Sequence, residues 1–197
     1  SGDIGDEDTV RNSIPSYDYV ICADGGTRHA RMLNIIPDLI IGDFDSIPAE
    51  ILDEYTNMGV PIKKYPVSKD KTDTQIAVDI AVQMGADSVI LIGAIGSRWD
   101  HSYANVMLLC RLANRNINAA ILHSHNIITV SKDILLIEGK VGDVVSLLPL
   151  GENTYILSTE GLKYPIFKKR LPLDFPYGIS NILTHTQAVV KIKSGWC

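Results

Sequence analysis

Apolar and polar positions fall in alternating blocks along the first ~120 residues, and the blocks read as strands and helices in turn. Tyr19-Val20-Ile21-Cys22-Ala23 is apolar, β-branched and of strand length, and Asp24-Gly25-Gly26 closes it. The segment 27–33 then predicts a helix, ended before Pro37. Leu39-Ile40-Ile41 predicts the next strand, closed by Gly42-Asp43. Ile51, Leu52 and Tyr55 at helical spacing predict a helix over 49–58, with Gly59 past its end, and a short strand over 62–65 follows. Thr72 and Gln75 have the form of a capping box, in which the hydroxyl satisfies an exposed backbone N–H and the amide reaches back. Behind that cap, Ile76, Ala77, Ile80, Ala81 and Met84 form one apolar face that stops at Gly85. Val89-Ile90-Leu91-Ile92 is a continuous apolar run, the pattern of a parallel strand covered on both faces. A helix over 101–114 is expected to turn Ala104, Met107, Leu108 and Leu112 inward, and 117–122 predicts one more strand.

Parallel strands joined by right-handed helical crossovers place their C-terminal ends along one sheet edge. Asp24, Asp43 and the cluster 93–101 all follow such ends, so topology alone draws them together. After residue 122 the helical signals stop. Short β-like runs at 127–130, 134–137, 144–148, 155–158 and 188–192 are punctuated by Gly139, Gly142, Gly151, Gly161, Pro172, Pro176 and Gly178. That spacing predicts a small antiparallel sandwich or barrel. The expected organisation is therefore an α/β domain over 1–122 followed by an all-β domain over 123–197, closely packed because no linker composition separates them. At the start, Ser1-Gly2-Asp3-Ile4-Gly5-Asp6 reads as a glycine-rich loop with no strand before it, and a short preceding strand is expected to belong to the fold.

Composition narrows the function classes. A chain of 197 residues with 46% hydrophobic and 21% charged residues can bury a sizeable core. The net charge of -5, without a Lys/Arg block, argues against a nucleic-acid partner. Lys168-Lys169-Arg170 reads as a solvated loop. The three cysteines, Cys22, Cys110 and Cys197, are too scattered for a disulfide framework or a zinc site and point to a reducing compartment. No segment reads as a signal peptide or reaches the ~18 apolar residues of a membrane span, so a cytoplasmic protein without a membrane partner is expected.

The acidic clusters carry the chemistry. In Gly42-Asp43-Phe44-Asp45-Ser46 the two carboxylates are two positions apart, which on extended backbone turns both to one side. Crowded carboxylates need a counter-charge, and Mg²⁺ holding substrate phosphates suits an all-oxygen set. Asp70 and Asp73 would complete the shell or bind waters of the ion, although Asp73 also reads as an acid favoured in the first turn of a helix. Asp24-Gly25-Gly26 admits a phosphate or ribose close to the backbone, or is simply a tight strand-to-helix turn. In Gly93-Ala94-Ile95-Gly96-Ser97-Arg98-Trp99-Asp100-His101, Arg98 suits bidentate grip of phosphate oxygens. Asp100 serves that loop or caps the following helix. His101 reads as a structural residue of the first turn rather than a general base. Ser46 lies in no nucleophile elbow and no Ser/His/Asp or Cys/His set assembles, so covalent catalysis is not indicated.

Taken in order, Asp24-Gly25-Gly26, Gly42 to Ser46, Lys69-Asp70-Lys71-Thr72-Asp73 and Gly93 to His101 resemble the thiamine pyrophosphokinase family. Gly161-Leu162-Lys163-Tyr164-Pro165 and Ser180-Asn181 extend the resemblance to nearly the whole chain. It implies a Rossmann-like parallel-sheet domain binding ATP and Mg²⁺, then a β-sandwich that binds thiamine and forms a homodimer, with thiamine at the subunit interface. It implies transfer of the β,γ-pyrophosphoryl group of ATP to thiamine, giving thiamine diphosphate and AMP. Asp43, Asp45, Asp70 and Asp73 would hold Mg²⁺; Asp24, Gly25, Gly26, Lys69, Arg98 and Asp100 would face the nucleotide; Ser180 and Asn181 would contact thiamine. Asp73 or Asp100 would accept the hydroxyl proton. Gln75 stands where many relatives carry an acid. The rival expectations are a pyrophosphokinase acting on another alcohol such as a hydroxymethyl pterin, a non-catalytic thiamine or nucleotide sensor, and a simple ATPase or phosphatase.

Overall fold

The chain begins with a helix that the apolar pattern does not announce. In the computed structural model, which describes residues 2–66 and 70–197, α1 (Glu7–Ser13) is started by the Asp6 carboxylate, which accepts from the Thr9 N–H at 2.8 Å. Val10 is its one buried residue, so seven positions hold no periodicity to read.

The α/β alternation then appears as expected, with shorter elements. Strand β1 (Ile21–Ala23) leads to α2 (Gly26–Met32), β2 (Leu39–Gly42) to α3 (Ala49–Asn57), and β3 (Ile62–Lys64) to α4 (Asp73–Gln83). Strands β1, β2 and β3 form a parallel sheet in that order, with Ile21 opposite Leu39 and Ile40 opposite Ile62. Cys22, Ala30, Ile40, Ile47, Ile51, Tyr55 and Val60 pack as its core, and the Tyr55 hydroxyl donates to the Ile35 carbonyl at 3.1 Å. Burying that ring while satisfying its hydroxyl ties α3 to the loop before β2.

A second three-stranded sheet follows. Strand β4 (Ser88–Ile92) runs through α5 (Trp99–Ala113) to β5 (Asn118–His123), its parallel neighbour, and β6 (Asn126–Thr129) returns antiparallel beside β5. The parallel strands thus lie in two separate three-stranded sheets, one of them mixed. Two expectations need correction. Strand β4 is not covered on both faces: it stands at the edge of its sheet and Ile90 is 37% exposed. Helix α5 buries Ser102, Asn105, Leu108, Leu109 and Leu112, whereas Ala104 and Met107 face outward. Polar Ser102 and Asn105 occupy inward positions because they bond to the loop before the helix, which rotates the buried face.

Two compact units divide the chain, Ser1–Thr129 and Val130–Cys197. The run expected at 127–130 is largely β6, whose pairing with β5 carries the first unit seven residues beyond 122. The second unit is β-rich: β7 (Ile134–Glu138), β8 (Val144–Val145), β9 (Tyr155–Glu160), β10 (Phe167–Arg170), β11 (Asn181–Ile182) and β12 (Gln187–Ser194). Its antiparallel sheet has the order β10-β9-β12-β7, beside a two-stranded β11-β8 ladder. Leu147, Ile156, Leu171, Leu183, Val190 and Ile192 are among the residues of its core. Strand β10 is exposed throughout, with sequence Phe-Lys-Lys-Arg, and no alternation betrays it. Among the described residues no helix is long and apolar enough to cross a membrane.

Candidate active site

Strands β1 and β2 are parallel neighbours, so the residues that follow them meet at one edge. The Asp24 N–H donates to the Ile41 carbonyl at 2.7 Å, and the Asp24 carbonyl accepts from the Thr27 N–H at 3.1 Å and the buried Thr27 hydroxyl at 2.7 Å. These bonds hold Asp24 at a φ of 47°. Gly42, at φ 148°, lies so close that a Cβ there would be 3.0 Å from the Asp24 Cβ. Only glycine lets the two strand ends approach this far. Phe44, at φ 70°, reverses the chain between Asp43 and Asp45, and the Asp45 N–H donates to the Asp43 Oδ1 at 3.2 Å. The two carboxylates therefore come together through a turn, not through the extended backbone expected from their spacing.

Asp24, Asp43 and Asp45 each offer one carboxylate oxygen within 4.8 Å of the others. Ser46 Oγ donates to Asp24 Oδ2, and the Ser46 carbonyl accepts from the Arg28 guanidinium. Asp24 Oδ1 is buried and has no hydrogen-bond partner among the described residues. A carboxylate oxygen left so is costly unless something positive reaches it. The charge of Asp43 raises the Asp45 carboxyl above its ordinary range, with desolvation and the charges of Asp24 and Asp73 adding to the effect. Hard oxygen donors, mutual repulsion and an orphaned oxygen together fit a divalent cation of the magnesium or calcium type. Sequence reasoning placed Asp24 beside the nucleotide and missed it as a member of this set. The available signal was an acid at the end of each of two adjacent parallel strands.

The other predicted residues lie around this centre in different ways. Thr72 caps α4 by accepting from the Gln75 N–H at 3.2 Å, which puts Asp73 in the first turn. The Asp73 charge bears on Asp45, but its carboxylate is outside the three-acid group, and so is that of exposed Asp70. Lys69 lies outside the described residues. Gly25 is the cap position of α2, and a Cβ at Gly26 would meet nothing within 4 Å, so that backbone is open to approach.

The loop after β4 is fastened from behind. Asn105 Nδ2 donates to the Ala94 carbonyl at 2.8 Å, and the Gly96 N–H donates to Ser102 Oγ at 3.0 Å. Gly2 and Asp3 run against the same loop, with N–H bonds to the carbonyls of Gly93 at 2.8 Å and Ile95 at 2.6 Å. Arg98 and Asp100 form an exposed ion pair at 2.7 Å. Asp100 is in the first turn of α5, and its hydrogen bond from Arg98 holds its carboxyl below the ordinary range. His101 is exposed beside it. Trp99 is 75% exposed and stacks on Tyr103 with ring centroids 6.0 Å apart.

In the second unit Ser180 and Asn181 take different parts. Ser180 is exposed at φ 58°, its N–H on Ser146 Oγ at 3.2 Å. Asn181 is buried and committed: Oδ1 accepts from the N–H groups of Tyr164 at 3.0 Å and Ile182 at 2.9 Å, and Nδ2 donates to the Tyr164 carbonyl at 2.7 Å. It thereby shapes a cavity of about 220 Å³ lined also by Tyr164, Pro165, Ile166, Tyr177, Gly178 and Ile179.

Fold and site define an α/β protein with a cation-seeking carboxylate centre at its strand ends, joined in sequence to a β-rich unit. The family model for the thiamin pyrophosphokinase catalytic domain matches residues 10–121, and that for the thiamin pyrophosphokinase vitamin B1 binding domain matches 125–197. The chain belongs to the thiamine pyrophosphokinase family. It is 30% identical over 179 residues to the thiamine pyrophosphokinase of Bacillus subtilis (strain 168), across 89% of this chain and 83% of that protein. It is 26% identical over 200 residues to thiamine pyrophosphokinase 1 of Oryza sativa subsp. japonica, across 88% and 74%. The structure is similar to the crystal structure of the Bacillus subtilis thiamine pyrophosphokinase, with a TM-score of 0.85 at 26% identity over 95% of this chain and 89% of that one. The thiamin pyrophosphokinase of Geobacillus thermodenitrificans gives a TM-score of 0.80 at 27% identity over 95% and 87%.

Proposed function

We propose that this protein transfers the β,γ-pyrophosphoryl group of ATP to the hydroxyl of thiamine, releasing AMP and thiamine diphosphate. The observation that carries the reading is the Asp24–Asp43–Asp45 group with its unpartnered Asp24 oxygen, in a chain of this family. Asp43, Asp45 and Asp24 would hold Mg²⁺, with Asp70 and Asp73 serving its outer shell. When bound, the ion supplies charge neutralisation and orientation of the polyphosphate. Asp24, Gly25, Gly26, Lys69 and Arg98 would line the nucleotide, Arg98 gripping phosphate oxygens once it leaves Asp100. Thiamine's hydroxyl oxygen attacks the β-phosphorus, the bond from that phosphorus to the AMP-bridging oxygen breaks, and the hydroxyl proton passes to an aspartate. Asp73 or Asp100 would be that aspartate.

In this reading the first unit forms a Rossmann-like catalytic domain for ATP and Mg²⁺, and the second a β-sandwich for thiamine binding and dimerisation. The protein works in the cytoplasm as a homodimer with thiamine at the subunit interface. Ser180 would touch thiamine directly, and Asn181 would act by holding Tyr164 in the cavity wall. Calorimetry with thiamine and with a hydroxymethyl pterin, each in the presence of Mg²⁺ and a non-hydrolysable ATP analogue, tests the acceptor. Saturable heat with thiamine alone is expected; binding of the pterin without thiamine binding would overturn the assignment.

A further inference from the structure

We propose that Asp79 is a positioning residue that clamps the acidic turn at the entry to α4, a role that rests on the reading of the site given above. Asp79 lies on α4 with its side chain 16% exposed. Its Oδ2 is 2.9 Å from Lys71 Nζ, and its Oδ1 is 2.6 Å from Arg111 Nη2. Lys71 stands between Asp70 and the cap residue Thr72, so one oxygen holds the turn that presents Asp70 and Asp73. Arg111 belongs to the last turn of α5, so the other oxygen ties that turn to a second helix. The two helices share an apolar seam in which Val78 packs with Leu108 and Leu112. The carboxylate thus fastens the turn before α4 to a packed pair of helices.

Most exposed ion pairs contribute little, because solvent screens them and two long side chains must be ordered. Asp79 differs in being largely covered and in spending both oxygens on cations from different elements. Its loss removes the one carboxylate that these two cations share. Residues that orient the groups around a metal often matter nearly as much as the groups themselves.

The test compares wild type with Asp79→Asn, Asp79→Glu and Lys71→Met. Hydrogen–deuterium exchange is measured without metal or nucleotide, and binding of Mg²⁺ with a non-hydrolysable ATP analogue is measured by calorimetry. In Asp79→Asn the amides of 70–76 should exchange about tenfold faster and the analogue should bind about tenfold more weakly. KM for ATP should rise by a similar factor. Lys71→Met should show the same faster exchange, which decides the matter if Asp79→Asn does not fold, and Asp79→Glu should recover most of the wild-type behaviour. Wild-type exchange at 70–76, or a lower melting temperature with unchanged affinity and KM, would overturn the clamp. Failure of wild type itself to bind the analogue or form AMP would overturn the functional reading, while the exchange result would still stand for or against the clamp.

Discussion

Asp24 shows how much a single residue's surroundings decide. Its left-handed backbone, the bond from its N–H to Ile41 and the missing side chain of Gly42 bring its carboxylate against those of Asp43 and Asp45. Ser46 satisfies one oxygen and leaves the other bare. At Asp45 the raised pKa means that the fold disfavours its ionised form, so above that pKa its charge opposes folding in the absence of a cation. Asp45→Asn should therefore leave the melting temperature within about 3 °C of wild type or raise it. The same change should lower turnover about 100-fold or more, because it removes a charged ligand. Near-normal turnover in the folded variant, checked by circular dichroism, would remove Asp45 from the metal set. The aspartate pair was legible in the sequence as two acids after an apolar run. That Asp24 and Asp43 end neighbouring strands was legible too; that their carboxylates join one group was not, since it depends on a φ of 148° at Gly42 that no local pattern announces.

At the scale of elements, the loops at the strand ends are held by groups whose reach sequence does not display. His29 of α2 illustrates this. Its Nε2 lies 2.9 Å from the Gly2 carbonyl, and a Cβ at Gly93 would be 2.5 Å from its ring, so it sits between the N-terminal segment and the loop after β4. Burial pushes its pKa below the ordinary 6.5. The unfolded chain then takes up the proton first, so this contribution to stability is complete above about pH 6.5 and is lost as pH falls through the folded value. Thermal melts between about pH 8 and pH 5 should show a decline that His29→Gln, which keeps a donor and cannot titrate, makes shallower. Equal slopes in both proteins would contradict the role. Elements with a strong period or a turn signal were legible: β1, β2, α3, the Thr72 cap and β4. Helix α1 and strands β10 and β11 were not, because one buried valine, an all-exposed Phe-Lys-Lys-Arg and two residues carry no period. The buried face of α5 is not legible from hydrophobicity, because Ser102 and Asn105 are drawn inward by backbone groups of the neighbouring loop.

For the whole molecule, the change from α/β alternation to glycine-punctuated short strands gave the two-part organisation, and the ordered motifs gave the family. Pairing of β6 with β5 is not legible, because an antiparallel hairpin at the end of a parallel sheet looks, in sequence, like the first strands of a β domain. Pyrophosphoryl transfer to thiamine is decided by product analysis. Purified protein is incubated with ATP, Mg²⁺ and thiamine, with controls lacking thiamine or containing EDTA, and the products are separated by chromatography. AMP and thiamine diphosphate are expected in equal amounts, both abolished by EDTA and both dependent on thiamine. ADP with thiamine monophosphate, or inorganic phosphate released without an acceptor, would contradict that transfer.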